Sequence, residues 1–434
     1  MTKNHTYEYP LQSMAGGADG INKYAKVGIY LRHLIEICIL TYIVVIPFNN
    51  RASLSDSALV MIAIVWTALM FFEKKIIFKK TSLNIPAGIL ILVSILSAFF
   101  SIDPAYSFDY IRSEILKSFL ILFAIINFMD EERQIKRLIW FIIASFTVMN
   151  IYGIVEYYIT LAHEGKKLDA TLGHHNKVGM FADLVFPVIL IMFLKIKGWK
   201  TRLPLSISII VGMIVIIFAQ SRGSWVSIIL SLLIIGVFYE RKVLGAVAIT
   251  FAILPLLLPG TIIKRFITIF DFGNYLKPKK VLIERPFVWQ ASFKIIKKYP
   301  FLGAGTGTDI FYKLYVEKGL KPKKAKQKLG HAHNQMLQTL VENGIAGFLA
   351  QTALFVSFFC TVFAGRKKYR NTFREVIIIG CAAGIIAIFF HGFVGTFLRS
   401  RMVIMVMIIM GTAVACCQTP SEEDNLIDRS KTIS

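Results

Sequence analysis

LPLSISIIVGMIVIIFAQ (203–220), SRGSWVSIILSLLIIGVFYE (221–240) and RKVLGAVAITFAILPLLLPG (241–260) follow one another without a break. Each contains an apolar run approaching the roughly 20 residues that a helix needs to cross the hydrocarbon of a bilayer. The polar breaks between them are two to four residues long, too short for anything but tight turns at a membrane surface. Working outward, further apolar runs lie near 28–48, 57–73, 85–100, 111–129, 138–160 and 178–196, then near 344–364, 375–397 and 402–417. With 203–219, 224–240 and 243–259 they make twelve expected spans. The fourth, with Arg112, Glu114 and Lys117 near its start, is the most polar. The chain has 434 residues, 56% of them hydrophobic, and a mean hydropathy of +0.63. That balance implies an all-α polytopic membrane protein.

The formal net charge is +23, and its distribution orients the bundle. Lys74-Lys75 with Lys79-Lys80, Arg133 with Lys136-Arg137, Lys195 to Arg202, Arg241-Lys242 and Arg366 to Arg370 all fall at one set of span ends. The alternate connections, Asn49 to Asp56 and Ser101 to Ser107, are nearly free of Lys and Arg. The positive-inside rule makes the basic set cytoplasmic. Basic loops of this kind account for much of the charge, so nucleic acid is not an expected partner. The expected layout is a cytoplasmic segment 1–26, spans one to nine over 27–258, a large extracytoplasmic loop 259–335, spans ten to twelve over 336–417, and a cytoplasmic tail 418–434. Segment 1–26 has no signal-peptide order of charged, apolar and small residues, so the first span is expected to stay uncleaved. The five cysteines, Cys38, Cys360, Cys381, Cys416 and Cys417, fall in or beside apolar runs. Neither a disulfide framework nor a cysteine metal site is indicated.

The large loop breaks the charge rule. From 259 to 332 it holds sixteen Lys/Arg against four Asp/Glu. Long loops translocate regardless of charge, yet a basic surface there calls for an anionic partner. The lysines 321, 323, 324, 326 and 328 also fit a plain solvated face. Three outer places carry polar groups that folding alone explains poorly. Arg222, in the turn between two spans, offers a planar fork that matches phosphate oxygens, although an arginine snorkelling from a helix end has the same address. Arg285, ahead of Pro286 and Trp289, follows Lys264-Arg265 in the same loop. His331-Ala332-His333-Asn334-Gln335 stands where the chain re-enters the membrane. Two histidines at i, i+2 on a helix would face apart, so a shared metal is not expected; a proton acceptor or phosphate partner fits better beside arginines. His175 and its neighbours, Arg399 with Arg401, and His391 near an outer span end are secondary candidates. His391 reads as either a buried, hydrogen-bonded group or a rim residue, with the former favoured. Asp183 and Glu36 read as interfacial.

The pattern His333-Asn334-x9-Gly344-x-x-Gly347 resembles the H[NSQ]-x9-G-x-x-G motif of the O-antigen ligase / O-antigen polymerase superfamily. Arg222 matches that family's R-x3-L, with Val226 in place of leucine. Arg285-Pro286-x2-Trp289 followed by Pro300-x-x-Gly303-x-Gly305 resembles its R-x3-W…P-x-x-G-x-G stretch. The resemblance covers roughly 175–400 and extends to the first spans by topology only. It implies a GT-C-type membrane glycosyltransferase of the bacterial inner membrane, with a periplasmic active site, no metal and no cofactor. The implied donor is a glycan on undecaprenyl diphosphate, the acceptor a lipid A-core sugar, and the outcome inversion at the anomeric carbon. On this reading Arg222 and Arg285 hold the diphosphate and His333 takes the acceptor proton. Lys264, Arg265, Trp289, His331, Asn334, Gln335 and His175 are the candidate substrate contacts. A polymerase joining repeat units and a protein O-oligosaccharyltransferase share the motifs, but a single large outer loop favours a ligase. A transporter would be expected to show two similar halves and charges at mid-membrane.

Overall fold

The computed structural model describes residues 18–48, 52–129, 131–161, 167–258, 260–267, 284–320 and 330–418. Among these, every regular element is helical. The chain runs α1 (Ala18–Val45), α2 (Ala52–Glu73), α3 (Asn84–Phe99), α4 (Pro104–Tyr110), α5 (Leu116–Phe128), α6 (Glu132–Glu156), α7 (His175–Lys195), α8 (Trp199–Phe218), α9 (Arg222–Phe238) and α10 (Lys242–Leu257). Then follow α11 (Gly260–Ile267), α12 (Glu284–Lys298), α13 (Thr308–Tyr312), α14 (Gln335–Lys368), α15 (Phe373–His391) and α16 (Arg401–Gln418). Each apolar stretch of the sequence falls on one of these helices. Among the described residues eight helices are long and apolar enough to span a bilayer; α3, α5, α9 and α10 are shorter. The protein is a multi-pass, all-α membrane protein.

The fourth stretch differs from its hydropathy reading. Asp103 accepts from the Tyr106 amide at 3.1 Å and caps α4, which passes through a π turn, Ile111–Ile115, into α5. Arg112 and Glu114 sit on that widened turn, and Arg112 pairs with Asp109 at 2.7 Å. The two acids read as interfacial are also placed differently. Glu36 is buried and held by Arg137 at 2.6 Å. Asp183, more than two turns into α7, is fully buried.

The ends of the bundle sort by charge. Arg32–Glu73, Arg137–Glu36, Lys195–Glu240 and Arg366–Glu375 gather at the ends expected to be basic. At the opposite ends the large loop builds a cap with its own small core, in which Val288, Ile295, Ile310, Phe311, Tyr315 and Val341 pack together. Lys313 ties this cap to Asp103, and Ile102 donates to the Ala304 carbonyl at 3.0 Å. The lysine-rich run 321–328 lies outside the described residues.

Close helix packing beneath the cap depends on small side chains. Gly380 and Gly384 of α15 meet the α7 backbone at Val188 and Leu184, and Gly179 of α7 meets Ser221 and Ser224 of α9. Gly344 has a different role. Its φ of +61° and ψ of −162° break α14, a conformation open essentially to glycine alone. The backbone groups freed by the break are satisfied by the loop 300–305. Ala304 and Gly305 donate to the carbonyls of Val341 and Glu342 at 2.8 and 3.2 Å, and Ile345 and Ala346 donate to those of Pro300 and Phe301 at 2.9 and 3.1 Å. The glycine pair reads in the sequence as a span–span packing device; at Gly344 the contact is with a loop.

Candidate active site

Where α7, α9, α11, α12 and α15 converge under the cap there is a cavity of about 180 Å³. Its lining is His175, Asn176, Ser221, Arg222, Gly223, Arg265, Arg285, His391 and Val394. Three guanidinium groups and two imidazoles face one small space, and none of the described lining residues is acidic. Fixed cations in a partly dry site attract an anion far more strongly than in water.

Local sequence explains how each arginine arrives there. Gln220 takes a left-handed backbone, φ +51°, and its carbonyl accepts from Arg265 Nε at 2.9 Å. Ser221 caps α9, placing Arg222 in the first helical turn, where free amides and the helix dipole also favour anions. Ile262 of α11 is buried while Lys264 is exposed. The helix thus turns Arg265 to the cavity and leaves Lys264 outside it. Arg285 opens α12, whose Val288 and Ile295 are buried in the cap core.

His331 and His333 form a second cluster beside the cavity. They lie in a loop, not on a helix, and their rings are in contact, tilted by 39° with centroids 4.0 Å apart. The i, i+2 expectation of opposed side chains therefore does not hold, because His333 has a φ of +51°. Between them Ala332 is buried and pinned at both polar atoms. Its carbonyl accepts from Trp289 Nε1 at 3.1 Å and its amide donates to Gln338 Oε1 at 2.8 Å. Arg399 Nη1 donates to His331 Nδ1 at 2.8 Å, so His331 is held neutral. Burial, with Arg285, Arg399 and His174 nearby, pushes His333 down to about 4. At neutral pH it carries a free lone pair.

The remaining predicted residues serve the scaffold. Asn334 caps α14 through the Leu337 amide at 3.0 Å and donates to the Phe393 carbonyl. Gln335, read as a substrate contact, is buried and bonded to the amides of Phe397 and Leu398, both at 3.0 Å. Its side-chain oxygen fixes the α15–α16 turn, while its NH2 donates to Thr339 Oγ1 at 3.2 Å within α14. Trp289 likewise acts through Ala332. Arg401 interacts with Glu114 and Tyr42 and stands apart from the cluster. One cation went unread in the sequence. Lys167 approaches His175 Nε2 at 3.3 Å, and burial beside Arg265 and Arg222 pushes it down to about 8. It sits in a short Gly-Lys-Lys stretch that looks like ordinary loop charge.

A second, apolar cavity of about 310 Å³ lies between α8, α9, α10 and α11. Ile216, Trp225, Leu232, Val247 and Phe266 are among its lining residues. Trp225 and Phe266, whose ring centroids are 5.6 Å apart, stand three residues beyond Arg222 and one beyond Arg265. The apolar space thus adjoins the cationic one.

No curated protein matches this chain. A family model described as O-antigen ligase matches residues 206–352. That stretch begins on α8, ends on α14 and contains Arg222, Arg265, Arg285 and His333. Over residues 206–352, about a third of its length, the chain is thus similar to the O-antigen ligase family.

Proposed function

We propose that this protein is an O-antigen ligase. In this reading it transfers a glycan from undecaprenyl diphosphate to the lipid A-core oligosaccharide, at the periplasmic face of the bacterial inner membrane. The observation that carries the reading is the pairing of a three-arginine cavity with an apolar cavity at its side. A polyprenyl diphosphate is a doubly charged head on an apolar chain, and the two spaces fit its two parts.

The chemistry then follows. His333 accepts the proton of the acceptor hydroxyl, whose oxygen attacks the anomeric carbon opposite the leaving group. The bond from that carbon to the phosphate oxygen breaks, and its electron pair leaves with the diphosphate. Arg222, Arg265 and Arg285 stabilise the charge that develops there. A neutral His333 is suited to taking a proton, since a group already protonated at pH 7 could not. Lys167, against His175, adds a further cation beside the cavity.

Deletion of the gene, followed by gel analysis of surface glycolipid and of polyprenyl-linked glycan, tests the assignment. Bare core with long chains left on the carrier is the expected result. Single repeat units on the core would instead identify a polymerase. Normal surface glycolipid with an unmodified glycoprotein would identify a protein O-oligosaccharyltransferase.

A further inference from the structure

The start of α7 carries charge on two sides. His175 lines the three-arginine cavity. Lys177, two residues on, sits on roughly the opposite face of the helix, at about 100° per residue. Its charged neighbours there are Arg399 from the α15–α16 turn, Arg401 from the start of α16, and Glu114 from the π turn. None of Lys177, Arg399 and Arg401 lines the three-arginine cavity. They form a second cationic group, separate from the first.

Lys177 and Arg399 are both half-buried, and among the described residues neither forms an ion pair. The carboxylates in reach are committed elsewhere. Glu114 is shared with Lys117 and Arg401. Glu342 is turned into the α14 break, where Gln338 donates to it at 2.5 Å and the Gly307 amide bonds it as well. The fold nevertheless holds the two cations together. Val178 and Phe181, beside Lys177 on α7, are buried in the core. The amides of Phe397 and Leu398, just before Arg399, are fixed by Gln335 at 3.0 Å. Like charges brought together in a half-dry place repel, and an oxyanion between them relieves that repulsion. Arg399 also touches the histidine pair, donating to His331 at 2.8 Å. His333 is in electrostatic reach of Arg285 and Arg399 alike, so it links the two cationic groups.

We propose that Lys177 and Arg399 form an acceptor subsite, which binds a phosphate group of the acceptor glycolipid and is joined to the diphosphate cavity through His333. An ammonium supplies a point charge to phosphate and a guanidinium a planar fork. In an inverting displacement the acceptor hydroxyl approaches from the face of the sugar away from the leaving diphosphate. With the donor on Arg222, Arg265 and Arg285, the second cationic group is left for the acceptor. The inference rests on the ligase reading given above. It adds two binding residues that lie outside the arginine and His333 motifs.

The test is glycan transfer by the purified full chain in phosphatidylcholine nanodiscs. The donor is an undecaprenyl-diphosphate-linked glycan, and the acceptor is lipid A-core before and after dephosphorylation. Lys177→Gln should raise KM for the intact acceptor about tenfold, the loss of one charged contact, and leave kcat and donor KM within about twofold. Lys177→Arg should restore most of the affinity. With native protein the dephosphorylated acceptor should show the same raised KM, to which Lys177→Gln adds nothing further. Arg399→Gln should act in the same direction, but it also releases His331, so Lys177 decides. An unchanged acceptor KM in Lys177→Gln, a rise in donor KM instead, or an effect that survives on dephosphorylated acceptor overturns the inference and leaves the ligase reading standing. So does an effect that appears only when phosphatidylglycerol is added, which would assign the two cations to a lipid headgroup. Absence of transfer to lipid A-core by the native protein overturns both.

Discussion

Lysine at position 222 or 285 would keep the charge and lose the fork. Arg222→Lys and Arg285→Lys should therefore transfer poorly, and the alanine variants should lose on the order of 10²–10³ in rate, worth roughly 2–4 kcal/mol. Transfer measured on purified, folded variants checks this. Wild-type rates in Arg285→Ala would reduce that residue to a surface cation. His333→Ala should abolish transfer while leaving donor binding largely intact. The pH dependence of His333 has a definite sign. With the group held down at about 4 by burial, Arg285 and Arg399, kcat/KM should be flat near neutrality and fall only as pH drops toward 4. Removing a neighbouring cation by Arg399→Ala should move that acid limb to higher pH. A limb that stays in place would show that Arg399 does not set the state of His333. At this scale the sequence was informative about identity and poor about geometry. His333, Arg222 and Arg285 were legible from motif and charge. The contact of His331 with His333 was not, because it depends on a left-handed residue that spacing on a regular helix cannot reveal. Lys167 had no signal at all, since only the fold brings it to His175.

Helix α14 is continuous in the sequence pattern and broken in space. A side chain at Gly344 would strike the carbonyl of Phe301 and the amide of Gly303, and φ +61° with ψ −162° already excludes it. Gly344→Ala should cost about 2–4 kcal/mol, seen as a lower melting temperature in detergent, and should reduce transfer by loosening the loop 300–305. An unshifted melting curve would show that the break tolerates a side chain. The same junction explains why two glycine-containing stretches, 300–305 and 344–347, occur together in one chain. The loop amides and carbonyls replace the helix bonds that the break removes, so neither stretch is satisfied without the other. Apolar length located every long helix correctly. The π turn at Ile111–Ile115 and the depth of Asp183 were not legible, because hydropathy averages over windows longer than a single turn and does not register a partner on another helix.

For the whole molecule, the cap lies at the span ends opposite those where Arg32–Glu73, Arg137–Glu36, Lys195–Glu240 and Arg366–Glu375 pair, in keeping with the alternation of basic loops. We expect Lys297→Cys, in a background with Cys360 replaced, to be labelled by an impermeant thiol reagent added to intact cells. Lys368→Cys should be labelled only after the cells are opened. The reverse pattern would invert the orientation and remove the site from the periplasm. The apolar cavity between α8, α9, α10 and α11 has a practical consequence of its own. Its lining is apolar, so in a bilayer an acyl chain and the chain of a lipid-linked substrate would compete for the same space. Extraction then substitutes detergent tails for lipid tails as the incumbents. Activity in micelles should follow the length and flexibility of the detergent chain, and a rate measured in one detergent would describe a competition as much as a catalyst.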